Sequence, residues 1–182
     1  MSEREVTQVE PELRAVLDDS RRLGFLGPAP IDEVIDHARA FTRALTDVTG
    51  AVVDLGSGGG IPGLVVAHDR PELSVTLVDR RQKRTDALER AVRRLGWSDR
   101  VEVRHADVED LEPARWDVAI ARGFGPPETT VRLAHAVVRP GGLIVISEPP
   151  SGDRWSALDV EGALVDRRPV DDGRVVSFTR RP

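Results

Sequence analysis

The sequence predicts an α/β fold: a mostly parallel seven-stranded sheet, an antiparallel strand pair at its C-terminal end, and a short helical N-terminus. Three observations lead there. From Gly50 onward, short valine-rich apolar runs alternate with segments of helical periodicity. The connections between them are short, which implies parallel strands with helices covering both faces. The tail breaks this alternation, because two strand-like runs flank Asp171-Asp172-Gly173, a hairpin-turn signal.

Residues 1–49 read as N-terminal helices packing on a core of residues 50–182, one domain overall. The first helix is expected over Glu12–Leu23, with Leu13, Val16 and Leu17 at helical spacing and Gly24 after it. Beyond the break at Gly27-Pro28-Ala29-Pro30, a second is expected over Ile31–Leu45. Ile31, Val34, Ile35, Ala38, Phe41 and Leu45 give it one apolar stripe. Parallel strands are expected at Ala51–Leu55, Ser74–Val78, Val101–Arg104, Asp117–Ala121 and Leu143–Ser147. The tail pair is expected at Ala163–Arg167 and Arg174–Arg180. A helix over Lys83–Leu95 ends at Gly96 as a C-cap, and one over Glu128–Val138 is stopped by Pro140-Gly141-Gly142.

Composition narrows the function. A chain of 182 residues buries enough apolar surface to fold without staples. With no cysteine, it has neither disulfides nor thiolate metal sites, and no metal-ligand cluster is visible. Met1-Ser2-Glu3-Arg4-Glu5 is polar, and no apolar run approaches the ~20 residues that span a bilayer, so the expected location is the cytoplasm. A net charge of −5 argues against sequence-independent nucleic-acid binding over a broad basic surface, while leaving room for a local basic patch. Lys83 is the lone lysine among 26 basic residues; a GC-rich genome accounts for that arginine bias.

The segment Asp54-Leu55-Gly56-Ser57-Gly58-Gly59-Gly60 joins the first strand to a helix expected near Pro62, which suits a first helical turn. Glycines there permit a tight turn and close approach of a ligand to the backbone. Asp79 ends the next strand about 20 residues on, where a carboxylate accepts hydrogen bonds from ribose hydroxyls. Two cofactor classes compete. Gly58-x-Gly60-x-x-Gly63 formally satisfies the dinucleotide fingerprint. Asp54-x-Gly56-x-Gly58-x-Gly60 instead matches the class I S-adenosylmethionine (SAM) methyltransferases, whose acidic residue sits near a cationic methionine moiety. Asp107, after the third strand, falls where those enzymes place a carboxylate near adenine. Arg139-Pro140-Gly141-Gly142-Leu143 looks like the turn before their fifth strand. These matches favour a Rossmann-like class I methyltransferase fold over a nicotinamide oxidoreductase or a non-catalytic nucleotide-binding module. A structural reading stands beside the functional one: Asp54 or Asp79 alone serves equally to cap a helix, and Asp107-Val108-Glu109-Asp110 looks like an acidic helix start.

From about Val52 to Ile146 the sequence resembles the RsmG (GidB) family of 16S ribosomal RNA guanine-N7 methyltransferases, as a shortened and divergent member. The resemblance rests on Gly56-Ser57-Gly58-Gly59-Gly60-Ile61-Pro62-Gly63, on Asp79 with Lys83-Arg84, on Ala121-Arg122-Gly123-Phe124, and on His37. Departures are equally clear. The family's Asn-Leu-Thr and Trp-Asn-Lys segments are not found, and Ser147-Glu148-Pro149-Pro150 stands where a Lys-Gly pair is usual. The resemblance implies SAM as cofactor and ribosomal RNA or the 30S particle as partner. A small-molecule acceptor is the alternative, as is a SAM-binding protein without catalysis.

The expected cofactor-binding residues are Asp54, Gly56, Ser57, Gly58, Gly60, Asp79, Arg80, Asp107, Val108 and Arg122. Arg122 is also the catalytic candidate, its planar fork positioning an acceptor or a phosphate, against a salt bridge to Glu128 as the structural reading. Phe124 suits either stacking on a base or closing the core, and His37 reads as structural. Arg80, Arg81, Lys83, Arg84, Arg90, Arg93 and Arg94 surround one helix, and a solvated face balanced by Asp86 and Glu89 accounts for them. Guanine N7 attacks through an unprotonated lone pair and needs no general base, which fits a candidate site with no evident base. A hydroxyl acceptor would want one.

Overall fold

Why the chain forms one sheet with two buried faces is visible in the alternation along each strand. A computed structural model describes residues 3–148, 164–170 and 175–182. Its elements run α1 (Glu3–Arg22), α2 (Ile31–Ala44), β1 (Ala51–Leu55), α3 (Gly63–Asp69), β2 (Ser74–Asp79), α4 (Gln82–Arg94), β3 (Val101–His105), a 3-10 turn at Val108–Asp110, β4 (Trp116–Ala121), α5 (Pro127–Val137), β5 (Val138–Ser147), β6 (Leu164–Val170) and β7 (Val175–Arg180). The sheet order is β3-β2-β1-β4-β5-β7-β6. β1 to β5 pair in parallel, and β7 is antiparallel to both β5 and β6.

Neighbouring residues of a strand face opposite sides, so each strand feeds two cores. Val52, Val118, Val145 and Val175 join one buried cluster with Leu64, Leu88, Phe41 and Leu17, residues of α3, α4, α2 and α1. Val53, Ala119, Ile144 and Val176 join the other, with Val131 and Ala134 of α5. Both faces are covered, as expected of parallel strands. Trp116 is fully buried, and its Nε1–H donates to Thr76 Oγ1 at 3.2 Å, satisfying the one polar atom of that ring. Arg94 ties α4 to α1 through Glu12 (3.0 Å) and Asp19 (3.2 Å).

Two details differ from the sequence reading. α1 begins at Glu3 rather than Glu12 and carries Pro11 inside it. A proline removes one helical N–H and disturbs the preceding turn, but Leu13, Val16 and Leu17 beyond it remain buried and hold the helix to the core. Pro140-Gly141-Gly142 does not separate α5 from a later strand. The helix gives way directly to β5 at Val138, and the three residues form an irregularity within it, where the pairing with β4 shifts between Trp116 and Val118. Gly141 there has φ +76°, and a Cβ on Gly142 would sit 2.6 Å from the Asp117 carbonyl oxygen. The Asp171-Asp172-Gly173 turn lies outside the described residues. β6 is the edge strand, which tolerates Pro169 because an edge need not offer every N–H.

Candidate active site

The strand order reverses direction between β1 and β4, and ligands of such sheets bind beyond the carboxyl ends of the strands at that point. A cavity of about 530 Å³ opens there, within the range of small-molecule sites. Its wall comes from the ends of β1 (Gly56), β2 (Val78 to Arg81, with Arg84 of α4), β3 (Ala106 to Glu109) and β4 (Gly123 to Pro126), closed by Thr129 and Leu133 of α5.

The glycine turn is built by its own hydrogen bonds. Ser57 N–H donates to Val78 O at 2.8 Å, and Gly60 N–H to Ser57 O at 2.8 Å. The Ser57 hydroxyl donates to Asp54 O at 3.0 Å, drawing the turn back onto β1. Gly56 is required twice over: its φ is +71°, and a Cβ would meet the Phe124 ring at 2.6 Å. Phe124 therefore rests on the glycine turn while lining the cavity, and it also packs against the buried cluster under α5. The two readings of that residue coexist.

Asp79 is 4% exposed. Its Oδ2 accepts from Gly58 N–H at 3.0 Å and from Arg84 Nη1 at 3.3 Å, and its Oδ1 from Arg81 N–H at 2.9 Å. Asp107 caps the 3-10 turn, accepting from Glu109 N–H at 3.2 Å, so the helix-start reading holds while the residue also lines the cavity. Arg80 and Val108 line it as well. His105 Nε2 lies 3.1 Å from the Arg80 carbonyl oxygen, so that nitrogen carries the proton of the bond and joins the ends of β3 and β2.

Asp54, Ser57 and Gly60 are buried behind this wall, while half-buried Gly58 and exposed Arg122 lie outside its lining. Asp54 is fully buried; its Oδ2 accepts from Gly63 N–H, the first residue of α3, at 3.0 Å, while its Oδ1 has no partner. Burial pushes the Asp54 carboxyl up to about 7, against the pull of the Ser57 hydroxyl, the Gly63 N–H and the Arg122 charge. Arg122 interacts electrostatically with Asp54; desolvation around its guanidinium lowers its pKa and the Asp54 charge raises it. The charge that acts on it is thus the buried aspartate of β1, whereas the sequence suggested Glu128. His37 is exposed on α2 and is not brought to the cavity.

Thr129 and Leu133 are on the wall and were not among the residues the sequence singled out, and Arg81 there was read only as part of a solvated basic face. Arg84 was read as part of a basic pair and of that same solvated face. Among the described residues, no group of three or more His, Asp or Glu side chains is arranged to hold a metal ion. No helix there is long and apolar enough to cross a membrane.

The sheet order 3-2-1-4-5-7-6, the antiparallel β7 and a glycine turn between paired strand-end carboxylates define the class I SAM-dependent methyltransferase fold. The chain belongs to the family of rRNA small subunit methyltransferase G (GidB), which matches residues 32–149. It is 33% identical over 154 residues to the ribosomal RNA small subunit methyltransferase G of Salinispora tropica, covering 79% of this chain and 63% of that one. The protein of the same name from Rhizorhabdus wittichii is 48% identical over 83 residues, 46% of this chain and 38% of the relative. This chain thus spans less than two thirds of the length of these curated relatives. A SAM-dependent methyltransferase from Geobacter sulfurreducens, solved with S-adenosylhomocysteine, superposes with a TM-score of 0.54 at 30% identity. The match covers 64% of this chain and 51% of that one.

Proposed function

We propose that this chain is a cytoplasmic SAM-dependent methyltransferase acting on small-subunit ribosomal RNA, with guanine N7 of 16S RNA as the acceptor. The observation that carries the reading is Asp79: a carboxylate fixed by two backbone N–H groups, at the mouth of a cavity beyond the strand ends. The residues fit the cofactor. Asp79 offers acceptors for its ribose, Asp107 and Val108 line the far wall where adenine would lie, and Gly56 leaves backbone accessible beside Phe124. When bound, the sulfonium cofactor supplies an activated methyl group and a good leaving group.

The chain's own work is then alignment, and proximity alone is worth ~7–11 kcal/mol of barrier lowering. Phe124 presents a ring at the cavity for stacking, and Arg122, leaving β4 next to the cavity-lining Gly123, supplies a planar donor fork for the acceptor or its phosphate. No side chain need remove a proton, because N7 carries a free lone pair. The net charge of −5 directs RNA contact to a local patch, for which exposed Arg80 and Arg81 on the rim and Lys83 and Arg90 on α4 are the candidates.

Transfer of labelled methyl from SAM to 30S particles, to free 16S RNA and to a metabolite pool tests the assignment. We expect label in the RNA, at guanine N7. Label in a metabolite with none in either RNA form overturns the RNA reading; tight SAM binding with no transfer to any pool overturns catalysis.

A further inference from the structure

We propose that Arg84 is a displaceable counter-ion, which covers the ribose-binding edge of Asp79 until the cofactor's hydroxyls evict it. This rests on the cofactor reading above and adds a positioning role that the reading does not require. A carboxylate presents about four lone-pair positions, two on each oxygen. Arg81 N–H takes one on Oδ1, leaving one. Gly58 N–H and Arg84 Nη1 take both on Oδ2. A ribose diol that bridges the carboxylate needs one position on each oxygen, so one donor on Oδ2 has to leave.

Of the two, only Arg84 is free to go. Gly58 N–H belongs to the glycine turn, whose conformation is fixed by the Ser57–Val78 and Gly60–Ser57 bonds. Arg84 instead holds Asp79 from a long side chain, one quarter exposed, through the longest of the three contacts. It also has somewhere to go. Its guanidinium lies 6.0 Å from the centre of the Phe25 ring, on the loop between α1 and α2, within reach of a cation–π contact. That loop is itself pressed onto the turn, since a Cβ on Gly59 would meet Leu26 at 2.6 Å. Arg84 thus stands between two acceptors of its charge, one of which the cofactor needs. The ion pair neutralises Asp79, and ribose binding must work against it.

Isothermal titration of the full chain with adenosine and with 2′,3′-dideoxyadenosine separates this role from a structural one. Removing the competitor in Arg84→Gln should tighten adenosine binding about three- to tenfold. Dideoxyadenosine, with no hydroxyl to place on Asp79, should bind wild type and variant alike, and Arg84→Lys should fall between. Equal or weaker adenosine binding by Arg84→Gln overturns the proposal. Should that variant fail to fold, Arg84→Lys that binds adenosine no more tightly than wild type does the same. A wild-type chain that binds neither adenosine nor S-adenosylhomocysteine overturns the cofactor reading itself, whereas one that binds both but gains nothing from Arg84→Gln removes Arg84 alone.

Discussion

β1 and β2 lie side by side, and each carries an aspartate near its carboxyl end, yet the two carboxylates live in different chemistry. The register explains it. Asp54 pairs with Leu77, so Asp79 stands two residues further along the same face of the sheet. Those two residues carry Asp79 past the start of α3, to the cavity wall, where three donors meet it. Asp54 stays beneath Gly63, sealed, with one oxygen unpartnered. The comparison teaches that a strand-end carboxylate takes its role from how far it projects beyond its neighbours. The floor of the site stores an electrostatic cost; the rim exposes an acceptor.

The largest effect that would break this contrast is the pH dependence of stability. Asp54 sits at about 7 in the folded chain against 3.8 when unfolded. Between those values the folded state binds more protons than the unfolded one, so stability falls as pH rises. The contribution is fully present below about pH 4 and is lost through pH 7, amounting to about 4 kcal/mol. Urea unfolding of wild type and Asp54→Asn from pH 4.5 to 8 checks it: the wild type should lose stability relative to the variant as pH rises. Parallel curves would mean that Asp54 is not sealed.

The next effect belongs to the rim. Replacing Asp79 with alanine removes the acceptor of the ribose hydroxyls, and a hydrogen bond to a charged group is worth roughly 1.5–3 kcal/mol. We expect affinity for S-adenosylhomocysteine to fall at least tenfold in a chain that still folds, measured by calorimetry. Asp54→Asn, acting from behind the wall, should cost less. If the two substitutions weaken binding equally, floor and rim are not separate regions.

Much of this was legible in the sequence because it is written in local signals. Short apolar runs between helical segments marked β1 to β4 to within a residue or so, and glycine spacing with strand-end positions placed Gly56, Asp79, Arg80, Asp107 and Val108, all of which the fold brings to one cavity. What the sequence did not reveal depends on register and on side chains meeting across elements. Asp54 and Asp79 look alike as strand-end aspartates until pairing sets their offset. Pro140-Gly141-Gly142 reads as a helix stop, because proline and glycine signal a break without saying whether an irregular strand continues through it. Arg122 facing Asp54, and Arg84 facing both Asp79 and Phe25, are tertiary meetings with no periodicity to announce them.

The smallest effect sharpens the same contrast with two glycines, one on the floor and one on the rim. Gly63 has ordinary φ, so its need for glycine is purely one of space: a Cβ would press on Leu77 and come within 2.6 Å of Asp54 Oδ2. Neither neighbour has room to withdraw, since both Leu77 and Asp54 are fully buried. Gly63→Ala should therefore cost about 1–3 kcal/mol by overpacking, and more at high pH, where the ionised Asp54 depends on the Gly63 N–H that the shift would disturb. Gly125 lines the cavity, also without positive φ, and a Cβ there would meet only Thr130 Oγ1, at 3.9 Å. Gly125→Ala should change stability by less than ~1 kcal/mol, with the restricted unfolded chain offsetting any loss. Urea unfolding of both variants at pH 8 decides the matter. A cost at Gly125 equal to that at Gly63 would show that the rim is packed as tightly as the floor, leaving no basis for treating the cavity end as the adaptable half of the site.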